Sequence, residues 1–186
     1  MADLRKKFQT QLRRKLQEDL KLKSIYQVPT LDKVVVNIGM GRILSGLDKQ
    51  LRDRALGELE KFLTAITGQK PQIRPARISI AGFKTREGDL VGMRVTLRGQ
   101  KMFDFVERLV HIVLPRMRDF HGIDEGNVDP HGVLSIGIKE HVVFPEVSQE
   151  EFHKLYGVEI TAVPSVRQRD RALAVYRVLG IPFARV

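Results

Sequence analysis

The chain is expected to fold as an α+β domain, an antiparallel sheet with helices packed on one face and a basic loop protruding from it. Three observations predict this. Stretches such as Leu90 to Arg98 (LVGMRVTLR) alternate apolar and polar residues, which is the period of a strand. Longer stretches, such as residues 48–67, repeat apolar residues every three or four positions, which is the period of a helix. No internal repeat, low-complexity tract or linker interrupts the 186 residues, so one domain spanning residues 1–186 is expected.

Leu4, Phe8, Leu12, Leu16 and Leu20 recur every four residues with lysines and arginines between them, so residues 1–24 hold an amphipathic helix. Ordinary packing of its apolar side, with a solvated basic face, is the simpler reading. A membrane-surface helix is the sharper one, opposed by Glu18 and Asp19, which interrupt the basic face. Pro29 ends this region. Leu31 to Ile38 is rich in β-branched residues and reads as a strand, followed by a turn at Gly39-Met40-Gly41. Asp48 to Thr67 is a helix whose stripe is Leu51, Ala55, Leu56, Leu59, Phe62, Leu63 and Ile66, and Gly68 stands where a C-terminal cap belongs.

Pro71 starts an extended piece, and residues 72–90 form a strand-loop-strand unit. In the second of those strands Val91, Met93, Val95 and Leu97 share one side, while Arg94, Thr96 and Arg98 share the other. Lys101 to Val113 is a helix with Met102, Phe105, Val106, Leu109, Ile112 and Val113 inward, bent or ended by Pro115. Asp119 to Gly132 is polar and glycine-rich, hence loop. Val133 to Val143 reads as one strand or two. Ser148 to Glu151 has the capping-box pattern of a short helix. Val158 to Val163 alternates as a strand, and Arg167 to Leu179 is a last amphipathic helix before Gly180 and Pro182.

Composition narrows the function. Lys and Arg number 32 against 22 Asp and Glu, a net charge of +10 that attracts polyanions, nucleic acid first and an anionic membrane surface second. Cysteine is absent, which removes disulfides, thiolate metal sites and cysteine nucleophiles and fits an intracellular protein. No apolar run approaches a membrane span, and the basic N-terminus lacks the apolar core of a secretory signal. Tryptophan is absent and aromatics make up 6% of the chain, so phosphate and shape contacts are expected to outweigh base stacking.

Motifs for small-molecule chemistry do not hold up. Gly39-x-Gly41 lacks the third glycine of a dinucleotide fingerprint, because Leu44 stands there and the next glycine is Gly46. Asp119, His121, Asp124, Glu125, Asp129 and His131 crowd one loop, but their spacing matches neither a zinc helix nor a calcium loop. Glu107 and His111 lie one helical turn apart and read as a surface ion pair rather than an acid/base dyad. No catalytic or metal-binding residue and no cofactor are therefore expected. What remains is a distributed basic surface. It comprises Gln69, Lys70, Arg74, Arg77, Lys84, Arg86, Arg94 and Arg98, with Asn37, Thr67 and Thr96 as hydrogen-bonding neighbours. The residues alone thus lead to an RNA- or DNA-binding α+β domain.

The strings VPTLDKVVVNIGMG, ITGQKP, ARISIAGFK, GMRVTLRG, LPRMRDFHG and GIKEHVVFPEV carry more. In this order and spacing, from about Tyr26 to Phe183, the chain resembles the family of bacterial large-ribosomal-subunit protein five, which binds 5S ribosomal RNA. The resemblance implies a non-catalytic, cytoplasmic ribosomal protein that attaches 5S rRNA to 23S rRNA in the central protuberance. It also implies contacts with the P-site tRNA, with neighbouring central-protuberance proteins, and with small-subunit head protein thirteen across an intersubunit bridge. Carried over by position, Asn37, Gln69, Lys70, Arg94, Thr96 and Arg98, with Thr67 beside them, would lie at the 5S rRNA surface. The loop, through Arg74, Arg77, Ser79, Lys84 and Arg86, would reach the tRNA, and the bridge would come from the segment between Asp119 and Pro145.

The chain departs from the family pattern in three places. Ile78 stands where relatives usually have lysine. Val128-Asp-Pro-His-Gly-Val133 replaces Phe-Asp-Gly-Arg-Gly-Asn, so His131 replaces an arginine and Pro130 a glycine. The last helix opens RQRDRA where relatives are usually acidic. A non-ribosomal basic RNA-binding module is the alternative reading, and a metal-dependent hydrolase built on the His/Asp loop is a third.

Overall fold

The computed structural model describes residues 4–41, 48–83, 85–118, 120–146 and 156–184. Lys84, Asp119, the segment holding Leu44 and Gly46, and the helix expected to open at Ser148 to Glu151 lie outside the described residues. The fold is α+β, with one five-stranded antiparallel sheet in the order β2-β3-β1-β5-β4. Its strands are β1 (Leu31–Gly39), β2 (Gln72–Pro75), β3 (Leu90–Leu97), β4 (Leu134–Ile138) and β5 (Val158–Pro164). The chain divides into two compact units, the first of residues 1–35, 97–136 and 160–186 and the second of residues 36–96 and 137–159.

In the first unit α1 runs over residues 4–19, regular at Leu4–Lys7 and Arg13–Asp19 and widened to a π-type turn at Phe8–Leu12. The widening follows from the sequence. Apolar residues spaced by four overshoot a 3.6-residue turn by about 40° each time, and a wide turn takes back part of that drift. Leu4, Phe8 and Leu16 are buried, while Leu12 and Leu20 stay half-buried. The Phe8 ring packs against Phe103, centroids 5.6 Å apart.

Phe103 belongs to α2, residues 99–116, which has its own π-type turn at Leu109–Val113. Phe103 joins the expected inward set through its contact with Phe8, and at the wide turn Val110 and Leu114 are buried while Ile112 is only half-buried. The wide turn also separates positions four apart, and Glu107 and His111 make no ion pair with each other. The helix passes through Pro115 and ends at Arg116. Proline is tolerated there because it sits in the first turn after the wide one, where its missing N–H has no required partner.

The last helix of this unit, α3 (Arg169–Val178), buries Ala172, Leu173, Val175 and Tyr176. The Tyr176 hydroxyl lies 2.7 Å from the Gly132 carbonyl and 2.9 Å from that of Ala162, and donates to them. Burial pushes its pKa well above the ordinary tyrosine value.

In the second unit the long helix α4 (Lys49–Thr67 in chain order between β1 and β2) buries Ala55, Leu59, Phe62, Leu63 and Ile66. Leu51, expected in the same stripe, is 53% exposed, and its neighbours over residues 50–54 are exposed as well. Gly68 ends the helix at φ +62°, a left-handed cap whose N–H donates to Thr64. The stretch 133–143 is one strand followed by a 3₁₀ turn at His141–Val143, not two strands. Phe62 meets the rings of His141 and Phe144 edge-on, 5.4 and 5.9 Å away.

His141 is buried, and its Nδ1 accepts the Tyr156 N–H at 3.1 Å. Desolvation lowers its pKa, so the folded chain holds the neutral ring at a pH where the unfolded chain, near 6.5, takes up a proton. Stability from this residue is therefore present above pH ~6.5 and declines as pH falls from there toward the lowered folded value. Urea midpoints measured from pH 7.5 to 5.5 are expected to fall, with a shallower slope in His141→Gln. Equal slopes would remove His141 as the source.

Candidate nucleic-acid interface

The second unit gathers most of the residues singled out in the sequence. The alternation in β3 is realised, with Met93, Val95 and Leu97 buried, Arg94 exposed and Thr96 half-buried. The antiparallel register pairs Gln72 with Arg94, Ile73 with Met93 and Arg74 with Gly92. Directly paired residues point to the same side of a sheet, so Gln72 and Arg74 join Arg94 on the polar face. Gly92 is required where it stands. A β-carbon there would meet the Ile38 carbonyl oxygen at 2.9 Å and the Asn37 amide oxygen at 3.8 Å. Gly92 thus lets the backbone of β1 approach closely beside Arg74 and Asn37. An unexplained glycine inside an alternating strand was the signal for it, and the periodicity reading passed over it.

The polar residues on this face differ in how far they are committed. Arg94 makes no hydrogen bond or ion pair among the described residues. Asn37 is half-buried and donates to Glu159 at 3.2 Å, an acidic neighbour that sequence spacing did not disclose because it lies on β5. Lys70 pairs with Glu60 at 3.2 Å, and the Gln69 amide reaches toward the Thr96 carbonyl at 3.5 Å. Thr67 is 3% exposed. Its hydroxyl donates to the Leu63 carbonyl and accepts the Gln69 N–H at 3.3 Å, so it shapes the chain that presents Gln69 and Lys70. Arg74 is half-buried, with a buried Nε that has no hydrogen-bond partner.

Beyond β2 and β3 hydrogen bonds tie the described residues of the arm together. Ala76 N–H donates to the Asp89 carbonyl at 2.8 Å, and Ile80 and Thr85 exchange backbone hydrogen bonds at 2.9 and 3.2 Å. Ser79 accepts the Glu87 N–H at 2.8 Å, and Asp89 accepts that of Arg86 at 2.7 Å. Ser79 therefore closes the arm from within, while Arg77 and Arg86 project as exposed cations. Ile78 and Ile80 are also exposed, so the arm offers apolar as well as cationic surface.

Arg98 belongs to the first unit. Its guanidinium is held by Asp32, 2.7 Å from the carboxylate and 3.2 Å from the carbonyl. Three of the loop residues weighed as metal ligands are occupied otherwise. Asp124 accepts from Gly126 N–H, Asp129 from Val133 N–H, and Glu125 pairs with Arg177. Among the described residues no helix is long and apolar enough to cross a membrane.

Comparison with known proteins places this basic, polar-faced sheet in a family. The family model described as ribosomal protein L5 matches residues 24–86, and the model for the C-terminus of that ribosomal family matches residues 90–183. The large ribosomal subunit protein uL5 of Heliobacterium modesticaldum is 43% identical over 183 residues, covering 98% of each chain. With both its parts matched in order and a relative this similar along nearly its whole length, the chain belongs to the ribosomal protein L5 family, a family of structural, non-enzymatic ribosomal proteins.

Proposed function

We propose that this ribosomal protein is a constituent of the large subunit of the cytoplasmic ribosome. There it binds 5S rRNA and attaches it to 23S rRNA in the central protuberance. The observation that carries the reading is the polar face of the second unit, where the Arg94 side chain stands exposed and uncommitted among the described residues, beside Gln72 and Thr96. Such a face suits a sugar-phosphate backbone, since it offers a cation and amides without aromatic stacking platforms. Asn37, Gln69 and Lys70 extend it, Thr67 holds the turn that presents them, and Arg98 adds a cation in the first unit.

The arm of residues 72–90 contacts the P-site tRNA through Arg74, Arg77, Lys84 and Arg86, with Ser79 holding its shape. The segment between Asp119 and Pro145 forms the bridge to the small-subunit head protein thirteen. A single ribosomal-protein domain spanning residues 1–186 is part of the same reading.

The test is competition. Labelled 5S rRNA bound to the chain is challenged with unlabelled 5S rRNA or an equally long structured control at two salt concentrations. Selective displacement by 5S rRNA at the higher salt is expected, because a specific site retains contacts that counterion release does not erase. Equal displacement by both RNAs would overturn the reading. Replacing Lys84 and Arg86 together by alanine should leave 5S rRNA affinity within about twofold and weaken tRNA binding to the P site of reconstituted ribosomes, since each lost phosphate contact removes a separate increment of affinity. Loss of 5S rRNA binding in that variant would refute the division of labour between arm and sheet.

A further inference from the structure

We propose that the first unit carries a second RNA contact, a cleft that takes up one unpaired nucleotide, its base against apolar walls and its phosphate on Arg167. The cleft has a volume of about 290 Å³ and is lined by His131, Val133, Val163, Pro164, Val166 and Arg167. That is near the lower end for clefts that hold small ligands, about 300 Å³. No acid lines it. Its two polar groups, His131 and Arg167, are exposed and have no hydrogen bond or ion pair among the described residues.

The walls are built before any ligand arrives. Asp129-Pro-His-Gly132 is a tight turn in which the Gly132 N–H donates to the Asp129 carbonyl at 2.9 Å and the Val133 N–H to the Asp129 carboxylate at 2.8 Å. Pro130 at the second position suits such a turn. Tyr176 secures the Gly132 and Ala162 carbonyls from beneath. On the other wall Ser165 exchanges hydrogen bonds with Thr30, at 2.8 and 3.0 Å, which fixes the chain between Pro164 and Val166. A preformed cleft spares the ligand the ordering cost of its walls.

The occupant follows from charge and shape. An apolar side chain from a partner protein would fill the walls but leave both polar groups unanswered. An unstacked nucleotide answers both, because a flat base fits between valine and proline walls, His131 meets its edge and Arg167 its phosphate. The cationic run of this chain thereby divides. Arg169 is turned inward to the Val128 and Glu125 carbonyls at 3.2 and 2.8 Å, while Arg167 faces the cleft across from His131. The inference rests on the ribosomal reading for RNA being at hand, and not on which face binds 5S rRNA.

The test titrates the full ¹⁵N-labelled chain with a single-stranded oligoribonucleotide of about ten residues and with a blunt duplex of equal length, sizes chosen because duplex grooves hide base faces that single strands expose. Amide signals of His131, Val133, Val163 and Val166 are expected to move with the single strand and not with the duplex. Arg167→Gln should weaken single-strand binding roughly tenfold, as loss of a charged hydrogen bond does, and His131→Ala should also weaken it. Both variants should keep wild-type 5S rRNA affinity. Signals that move only around Arg94, equal movement with the duplex, or an unchanged single-strand affinity in Arg167→Gln would each overturn the proposal. Cleft binding that persists in a chain unable to select 5S rRNA would sustain it while the sheet-face reading fell.

Discussion

Arg94→Ala is expected to weaken 5S rRNA binding about tenfold or more, the loss of one charged hydrogen bond being worth roughly 1.5–3 kcal/mol. Among the described residues nothing competes for this guanidinium, so its reach is available to phosphate. The dependence of binding on salt should shrink by about one ion, as for any lost phosphate contact. Arg98→Ala should cost less, because Asp32 already holds that side chain at 2.7 Å and RNA must displace it. The same logic makes Asp32→Ala a variant that binds more tightly, its arginine released. Filter binding at several salt concentrations measures all three. Wild-type affinity in Arg94→Ala at moderate salt would refute the assignment of this face, and weaker binding in Asp32→Ala would refute the competition argument.

Gly132→Ala is the substitution with the largest expected effect on stability. Gly132 has φ +84°, a region that costs a side-chain-bearing residue about 1–2 kcal/mol. Its added β-carbon would also lie 2.6 Å from that of Ala172 on the buried side of α3. Such overpacking costs roughly another 1–3 kcal/mol. A total of about 2–5 kcal/mol corresponds to a fall in Tm of roughly 4–20 °C for a chain of this size. Adding Ala172→Gly removes the overlap but not the backbone strain, so the double variant should recover part of the loss and not all of it. Thermal unfolding of the four chains separates the two contributions. An unchanged Tm in Gly132→Ala would mean that the turn relaxes at no cost.

How much of this was legible beforehand depended on the range of each interaction. The strands and helices were readable because their signals are local. LVGMRVTLR alternates, and Met93, Val95 and Leu97 are buried while Arg94 faces out. Gly68 marks a helix end because a left-handed cap needs only the turn before it. Where the local signal was ambiguous, the departures were small and traceable. The π-type turns shifted which side chains of the helices at residues 4–19 and 99–116 point inward, and Leu51 lies in the exposed stretch 50–54 of the long helix.

The sequence by itself thus determined the fold class, the family and the polar side of the sheet, since each is written in residues within a few positions of one another or in the order of short strings. The tertiary structure alone decided which of those polar residues are free to act. Asp32 reaches Arg98 across 66 positions, Glu159 reaches Asn37 across 122, and Thr67 turns inward to its own helix. His131 and Arg167 likewise meet at one cleft only because β5 lies beside β4 in the sheet. Charge and hydrogen-bonding capacity are properties of a residue, but their availability depends on neighbours that the folded chain brings from far along the sequence.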